Sequence, residues 1–305
     1  MNVSPKQSEQ CRACLNIAAT EKRRLKTNIY GLVGKKLSHS FSKEYFTKKL
    51  FSLGLNNCEY QNFEIENEND LPSVFDIPDL RGFNVTVPYK KAIIPLLDSC
   101  SSEAAAVGAV NTVSLENGKW VGYNTDVAGF EKSFMPLLCS LKRNATCAEI
   151  TAADYVAADE VVSVAVNDIK QSRAMIFGTG GASNAVQYVL KKNGIPFLLV
   201  GRGHQNNVRY AELDISLMYS YNIFVNTTPV GMYPNIKDIL PIPFDGIKQG
   251  SVVFDLIYNP VQTAFLQEAS KRGAVIKNGL EMLHIQAEAA WEIFHLTENV
   301  AQRGK

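Results

Sequence analysis

The sequence predicts an α/β protein of two domains, the second carrying a doubly wound parallel sheet. Three observations predict it. At 305 residues the chain is about twice the usual span of one domain. From 171 to 278 short apolar strands alternate with segments of helical period, the pattern of βαβ units. The first of those strands runs into Gly178-Thr179-Gly180-Gly181-Ala182-Ser183 at the head of a helix. The predicted division is a flexible leader over 1–27, a first domain from 28–130 with 279–305, an insertion or linker over 139–170, and a second domain over 171–278.

In chain order, 28–33 (NIYGLV) reads as a strand and 42–53 as a helix, with Tyr45, Phe46, Leu50 and Leu53 at helical spacing. Residues 58–65 alternate as a strand. The β-branched run 82–87 is stopped by Pro88, which opens a short helix holding Ile93, Ile94, Leu96 and Leu97. Strands over 109–115 and 119–123 flank Asn117-Gly118, a hairpin signal. A helix over 126–138 follows. In the second half, strands are predicted over 174–177, 197–200, 223–226, 251–255 and 274–276. Helices are predicted from the glycine turn to Asn193, over 262–271, and over 280–294, where Leu283, Ala287, Ala290, Trp291 and Phe294 share one side.

Composition excludes several classes. Hydrophobic residues at 46% and charged residues at 20% argue against wholesale disorder. A net charge of +1 lacks the basic excess of a dedicated nucleic-acid binder. No apolar run approaches the roughly 20 residues that cross a bilayer, so no membrane partner is expected. Six cysteines are too sparse for a disulfide scaffold, and Cys11 and Cys14 form a single CxxC pair with no second pair to complete a zinc site. The four histidines show no ligand spacing, so no metal is expected. The leader lacks the apolar core of a secretory signal, and the cytoplasm follows by default.

The glycine turn carries the first chemical signal. Glycine lets the backbone turn tightly and approach a pyrophosphate, while the helix N-terminus offers unpaired N–H groups and a favourable dipole. This is the mark of a Rossmann-like nucleotide domain. About 20 residues on, an NAD site places a carboxylate on the ribose hydroxyl. Here that strand ends in Gly201-Arg202, with His204 and Arg209 following. A guanidinium matches a phosphate through parallel hydrogen bonds, so the residues favour NADP.

The first half contributes polar residues at strand ends. Ser38 and Ser40, two apart in extended chain, point the same way and suit a carboxylate. Thr86 stands in an apolar strand, with Lys90 just past its end. Asn111 sits among apolar neighbours, and Asp126 at a helix start, where it could serve simply as an N-cap. Lys90 and Asp126 converging on one hydroxyl would form an acid/base pair.

The sequence resembles the shikimate dehydrogenase family from about Tyr30 to Phe294. The resemblance rests on SHSFS (38–42), NVTVPYK (84–90), GAVNT (108–112), GYNTD (122–126), GTGGAS (178–183), NTTPVGM (226–232), DLIYNP with Thr263, and NGLEML with QA (278–287), in this order. It implies reversible, NADPH-dependent reduction of 3-dehydroshikimate to shikimate in aromatic amino-acid biosynthesis. It implies that Ser38 and Ser40 hold the substrate carboxylate with Thr86 and Tyr258 nearby, and that Lys90, Asn111, Asp126 and Gln286 surround the ring hydroxyls. Lys90 and Asp126 would manage the proton. Gly178, Thr179, Gly180, Gly181 and Ala182 would cradle the pyrophosphate and Arg202 the 2′-phosphate. Asn226, Thr227 and Thr228 would line the cofactor cleft, with Leu256 and Gly279 near the nicotinamide. The run Gly201-Arg202-Gly203-His204, with Asn at 206, is a thinner phosphate clamp than the family's usual pattern. Quinate as substrate, NAD as cofactor, a non-catalytic sensor of the same fold, and a monomer or homodimer are compatible alternatives.

Overall fold

The computed structural model describes residues 27–37, 40–140, 172–203 and 208–303. Two compact units divide between Phe83 and Asn84. The leader to residue 26, residues 141–171, Ser38 and His204 lie outside the described residues.

The first unit is a βαβ arrangement. β1 (Asn28–Gly34) leads through α1 (Phe41–Ser52) to β2 (Cys58–Glu64), which runs parallel to β1 with Asn28 opposite Cys58 and Gly34 opposite Glu64. β1 also neighbours β3 (Leu80–Val85). Ser40 caps α1 by accepting from the Ser42 N–H at 3.2 Å. Phe46 of α1 is buried and stacks on Tyr60 of β2, ring centroids 4.5 Å apart. A 3₁₀ stretch over Glu68–Asp76, which the sequence pattern did not signal, buries Leu71 and Val74. Pro72 within it lacks the N–H that an α-helix requires there.

The second unit opens with the end of β3. The short helix expected after Pro88 is only a 3₁₀ turn, Ile94–Leu96, because Pro95 removes a donor and disfavours α geometry at the residue before it. β4 (Ser99–Cys100) and a six-residue α2 (Ser102–Val107), capped by Ser101 and ended by left-handed Gly108, were too short to show a period. β5 (Thr112–Glu116) and β6 (Lys119–Tyr123) form the expected antiparallel hairpin, with positive φ at Asn117 and Gly118. α3 (Thr125–Ser140) follows.

The rest is a six-stranded parallel sheet made of β7 (Ala174–Phe177), β8 (Phe197–Gly201), β9 (Val208–Arg209), β10 (Ile223–Asn226), β11 (Val252–Asp255) and β12 (Val275–Lys277). Its order is β9-β8-β7-β10-β11-β12, with every recorded pairing parallel. That is the 3-2-1-4-5-6 order of dinucleotide-binding domains. The order reverses between β7 and β10, and ligands of such sheets bind outside the carboxyl ends at that point. α4 (Gly181–Lys192), α5 (Ile215–Tyr219), α6 (Ala264–Lys271) and α7 (Leu280–Arg303) complete the unit.

The strands are continuously apolar because both faces are covered. Ile176, Val225 and Phe254 pack with Phe130 and Phe134 of α3 and Val186 and Val189 of α4. Met175, Phe177, Phe224 and Val253 pack on the other face with Met218 and Phe265. α3 is thus part of the sheet's own core. Phe130 and Phe134 stack at 4.7 Å, and Phe130 meets Phe254 edge-on at 5.3 Å. Among the described residues no helix is long and apolar enough to cross a membrane. Phe130→Ala is expected to cost about 3–5 kcal/mol of stability, read as a lower urea midpoint with an unchanged slope.

Candidate active site

Lys90 and Asp126 are 36 residues apart in sequence and joined in the fold: Lys90 Nζ donates to Asp126 Oδ2 at 2.6 Å. The side chains are only 14% and 3% exposed. The backbone brings Lys90 there, since its carbonyl accepts from the Val110 N–H at 2.7 Å. The start of α3 brings Asp126. Asn124, rather than Asp126, performs the capping task, accepting from the Val127 N–H at 3.3 Å and donating to the Ala109 carbonyl at 2.7 Å. The Asp126 carboxylate is left to face the lysine, in a first helical turn where negative charge is favoured.

Asn111 fixes the other carboxylate oxygen. Its Nδ2 donates to Asp126 Oδ1 at 2.9 Å and to Thr125 Oγ1 at 3.0 Å, so both amide hydrogens are engaged within the protein. Its Oδ1 accepts from the Thr125 N–H at 2.7 Å and from Thr112 Oγ1 at 3.2 Å. Asn84 donates to Thr112 Oγ1 at 3.0 Å, extending the network to the end of β3. Asn84, Thr112 and Thr125 stand inside the sequence motifs, yet nothing in residue type alone marks them as supports. Thr86, just past β3, is half-buried.

Gln286 reaches the same helix. A Cβ on Gly129 would lie 2.6 Å from Gln286 Cγ and 3.2 Å from its Nε2. Gly129 is one turn along α3 from Asp126, so the amide of α7 lies over that face.

The glycine turn adjoins the ion pair. A Cβ on Gly181 would lie 3.2 Å from Lys90 Cβ and 3.7 Å from Ala109 Cβ. Gly180 stands at the N-cap of α4 with no side-chain cap, and a Cβ there would meet nothing within 4 Å. Among the described residues no side chain caps the N-terminus of α4, and the space beside Gly180 is open, as a phosphate requires. Gly178 has φ +110°, which side chains rarely adopt, and its Cβ would fall 2.5 Å from Thr227 Oγ1. These features fit a dinucleotide pyrophosphate beside Thr179 to Ala182, at the carboxyl end of β7. Asn226 and Thr227 stand at the neighbouring end of β10. Leu256 follows β11, where a Cβ on Gly279 would lie 2.0 Å from its carbonyl oxygen.

Arg202 is exposed just past β8. Burial pushes the Tyr210 phenol up, and the Arg202 charge opposes that shift. Arg209 lies opposite Gly201 in the sheet, and its guanidinium pairs with Glu212 at 3.3 Å. Tyr258 is half-buried in the loop after β11. In the first unit, Ser40 has the capping bond to α1 described above. Among the described residues no group of three or more metal-ligating side chains occurs.

Asp255 heads the DLIYNP motif at the end of a buried strand, where residue type alone gives it no role. It is fully buried, and desolvation raises its carboxyl from 3.8 to about 7, opposed by hydrogen bonds from Thr263, the Ile257 N–H and Asn226.

The family model described as shikimate dehydrogenase substrate binding domain matches residues 32–113. The shikimate dehydrogenase (NADP(+)) of Methanococcus maripaludis is 35% identical over 287 residues, spanning 88% of this chain and 92% of that protein. The crystal structure of shikimate dehydrogenase from Aquifex aeolicus is 33% identical with TM-score 0.71, over 89% of this chain and 94% of that one. The Thermus thermophilus shikimate 5-dehydrogenase, in complex with NADP(H) and shikimate, is 26% identical with TM-score 0.66, over 88% and 93% of the two chains.

Because the folded state holds the Asp255 proton more tightly than the unfolded chain, its contribution to stability is fully present below about pH 4 and is lost as pH rises through about 7. Asp255→Asn is expected to remove that part of the pH dependence. A variant-minus-parent unfolding free energy that stays constant from about pH 4 to 8 would show that Asp255 does not titrate in this range.

Proposed function

We propose that this chain, which belongs to the shikimate dehydrogenase family, reversibly reduces 3-dehydroshikimate to shikimate with NADPH, and that Lys90 carries the proton. The observation that carries the reading is the Lys90–Asp126 contact of 2.6 Å with the head of the glycine-turn helix packed against the lysine stem.

The bound cofactor supplies or accepts the hydride, and the protein orients the reactants and handles the proton. Gly178 to Ala182 would hold the pyrophosphate and Arg202 the 2′-phosphate; Asn226 and Thr227 would line the cofactor cleft, with Leu256 and Gly279 near the nicotinamide. An ammonium has three N–H donors. Asp126 takes one, which leaves two for the oxygen on C3 of the substrate. In reduction Lys90 gives that oxygen its proton, and in oxidation it receives one. Asp126 aims the lysine and is itself held by Asn111. We assign Gln286 to the ring hydroxyls, Ser38 and Ser40 to the substrate carboxylate, and Thr86 and Tyr258 to the surroundings of that carboxylate.

Steady-state rates with shikimate and quinate, each with NADP+ and NAD+, test the reading. Shikimate with NADP+ is expected to be the preferred pair, and preference for quinate with NAD+ would overturn it. Lys90→Ala is expected to lower kcat about 100- to 10,000-fold with KM for shikimate within several-fold. Near-normal turnover in a folded Lys90→Ala protein would remove the lysine from the chemistry. Arg202→Ala is expected to weaken NADP+ binding about tenfold or more and to leave NAD+ nearly unchanged. Equal losses for the two cofactors would detach Arg202 from the 2′-phosphate.

A further inference from the structure

We propose that Asp255 is a positioning residue for the cofactor cleft: it sets the orientation of the Asn226 amide, which in turn holds the Thr227–Thr228 turn against the glycine turn. The inference rests on the reading that residues 178–182 and 226–227 hold NADP(H).

Asp255 Oδ1 also accepts from the backbone N–H of Ile257, so it is an acceptor whether or not the carboxyl is ionised, whereas an amide has one accepting and one donating end. Asn226 and Asp255 are register partners on β10 and β11, both fully buried. Asn226 Nδ2 donates to Asp255 Oδ1 at 3.0 Å, so the carboxylate dictates which end of the amide faces it. Asn226 Oδ1 is thereby turned toward Thr228, accepting from its N–H at 2.9 Å and its Oγ1 at 2.7 Å. Thr228 Oγ1 accepts in turn from the Val230 N–H at 3.2 Å. Thr227 donates to the Phe177 carbonyl through its N–H at 2.8 Å and its Oγ1 at 2.7 Å. Phe177 is the residue before Gly178, whose Cβ position lies 2.5 Å from Thr227 Oγ1 and 2.9 Å from Thr228 Cγ2.

The same carboxylate ties down the other wall. Asp255 Oδ1 accepts from the Ile257 N–H at 3.1 Å, and Oδ2 accepts from Thr263 Oγ1 at 2.6 Å. The Ile257 carbonyl then receives the Gly279 N–H at 3.0 Å. One buried group thus fixes the carboxyl ends of β10 and β11, beside the point where the sheet order reverses. Its burial disfavours the charge, as the raised carboxyl shows. An apolar residue of similar volume would pack there without that penalty but would leave the amide free to turn.

A double-mutant cycle tests this by calorimetric titration of NADP+. Asp255→Asn and Thr228→Val are each expected to weaken NADP+ binding about tenfold. The double variant is expected to bind no more weakly than the weaker single, to within about twofold, because both cut one chain of bonds. KM for shikimate at saturating cofactor should not move. Unchanged binding in Asp255→Asn, or losses that multiply to about a hundredfold in the double variant, would overturn the proposal. Should Asp255→Asn not fold, Asn226→Leu cuts the same chain and must show the same coupling with Thr228→Val. Gly180→Asp separates this proposal from the reading beneath it, since its Cβ has open space and its carboxylate would repel a phosphate. If Gly180→Asp and Thr228→Val both leave NADP+ binding intact, the cleft reading fails. If Gly180→Asp abolishes binding while Asp255→Asn binds normally, the positioning role alone fails.

Discussion

A lysine ammonium and an aspartate carboxylate are costly to bury, and their mutual attraction offsets the lost hydration only when the geometry is tight and the remaining polar atoms find partners. Lys90 and Asp126 meet that condition. The contact is 2.6 Å, and the second carboxylate oxygen is taken by Asn111, which is held by Thr125 and Thr112. Truncating any member leaves another buried polar atom unsatisfied. The network is therefore rigid for the same reason that it is expensive, and rigidity is what a proton donor needs in order to meet a developing charge.

The ion pair would be useless if it floated free of the nucleotide-type sheet. α3 prevents this. Its N-terminus carries Asp126, while Phe130 and Phe134 further along are cemented to Phe254 of β11. One helix thus belongs to the polar network at its start and to the sheet's hydrophobic core along its length. The head of α4, with Gly181 against the Lys90 stem, supplies a second tie. Register between the lysine and the glycine turn is then a matter of side-chain packing, which tolerates shifts of well under an ångström.

The sequence made the parallel sheet legible because strands covered on both faces read as uninterrupted apolar runs, as AMIF and VVFD do. It also marked Lys90, Asp126 and the glycine turn, since each stands where an apolar element ends. Their meeting was implied only by resemblance, because no local pattern joins residues 36 apart. The supports were less visible. Asn84, Thr112 and Thr125 are ordinary polar residues until the fold turns their hydrogen-bonding ends toward Asn111. Gly129 reads as a helix-weakening residue, and the passage of α7 across it, with the Gln286 side chain and the Met282 carbonyl where a Cβ would lie, explains the missing side chain. Helices of five or six residues, such as α2 and α5, contain too few turns for a hydrophobic period to emerge. Pro95 overrode an apolar cluster that otherwise looked helical.

The two buried aspartates show how partners divide labour between like groups. Asp126 faces a cation, whose other N–H groups a substrate oxygen could share. Asp255 faces a hydroxyl, an amide and a backbone N–H, all of them neutral. With no compensating charge, desolvation dominates and its carboxyl rises to about 7. Those neutral donors are held in fixed directions, two of them by Oδ1, which accepts in either protonation state. The first carboxylate is consequently suited to chemistry and the second to geometry. Exchange of their surroundings, with no change in either side chain, would exchange their roles.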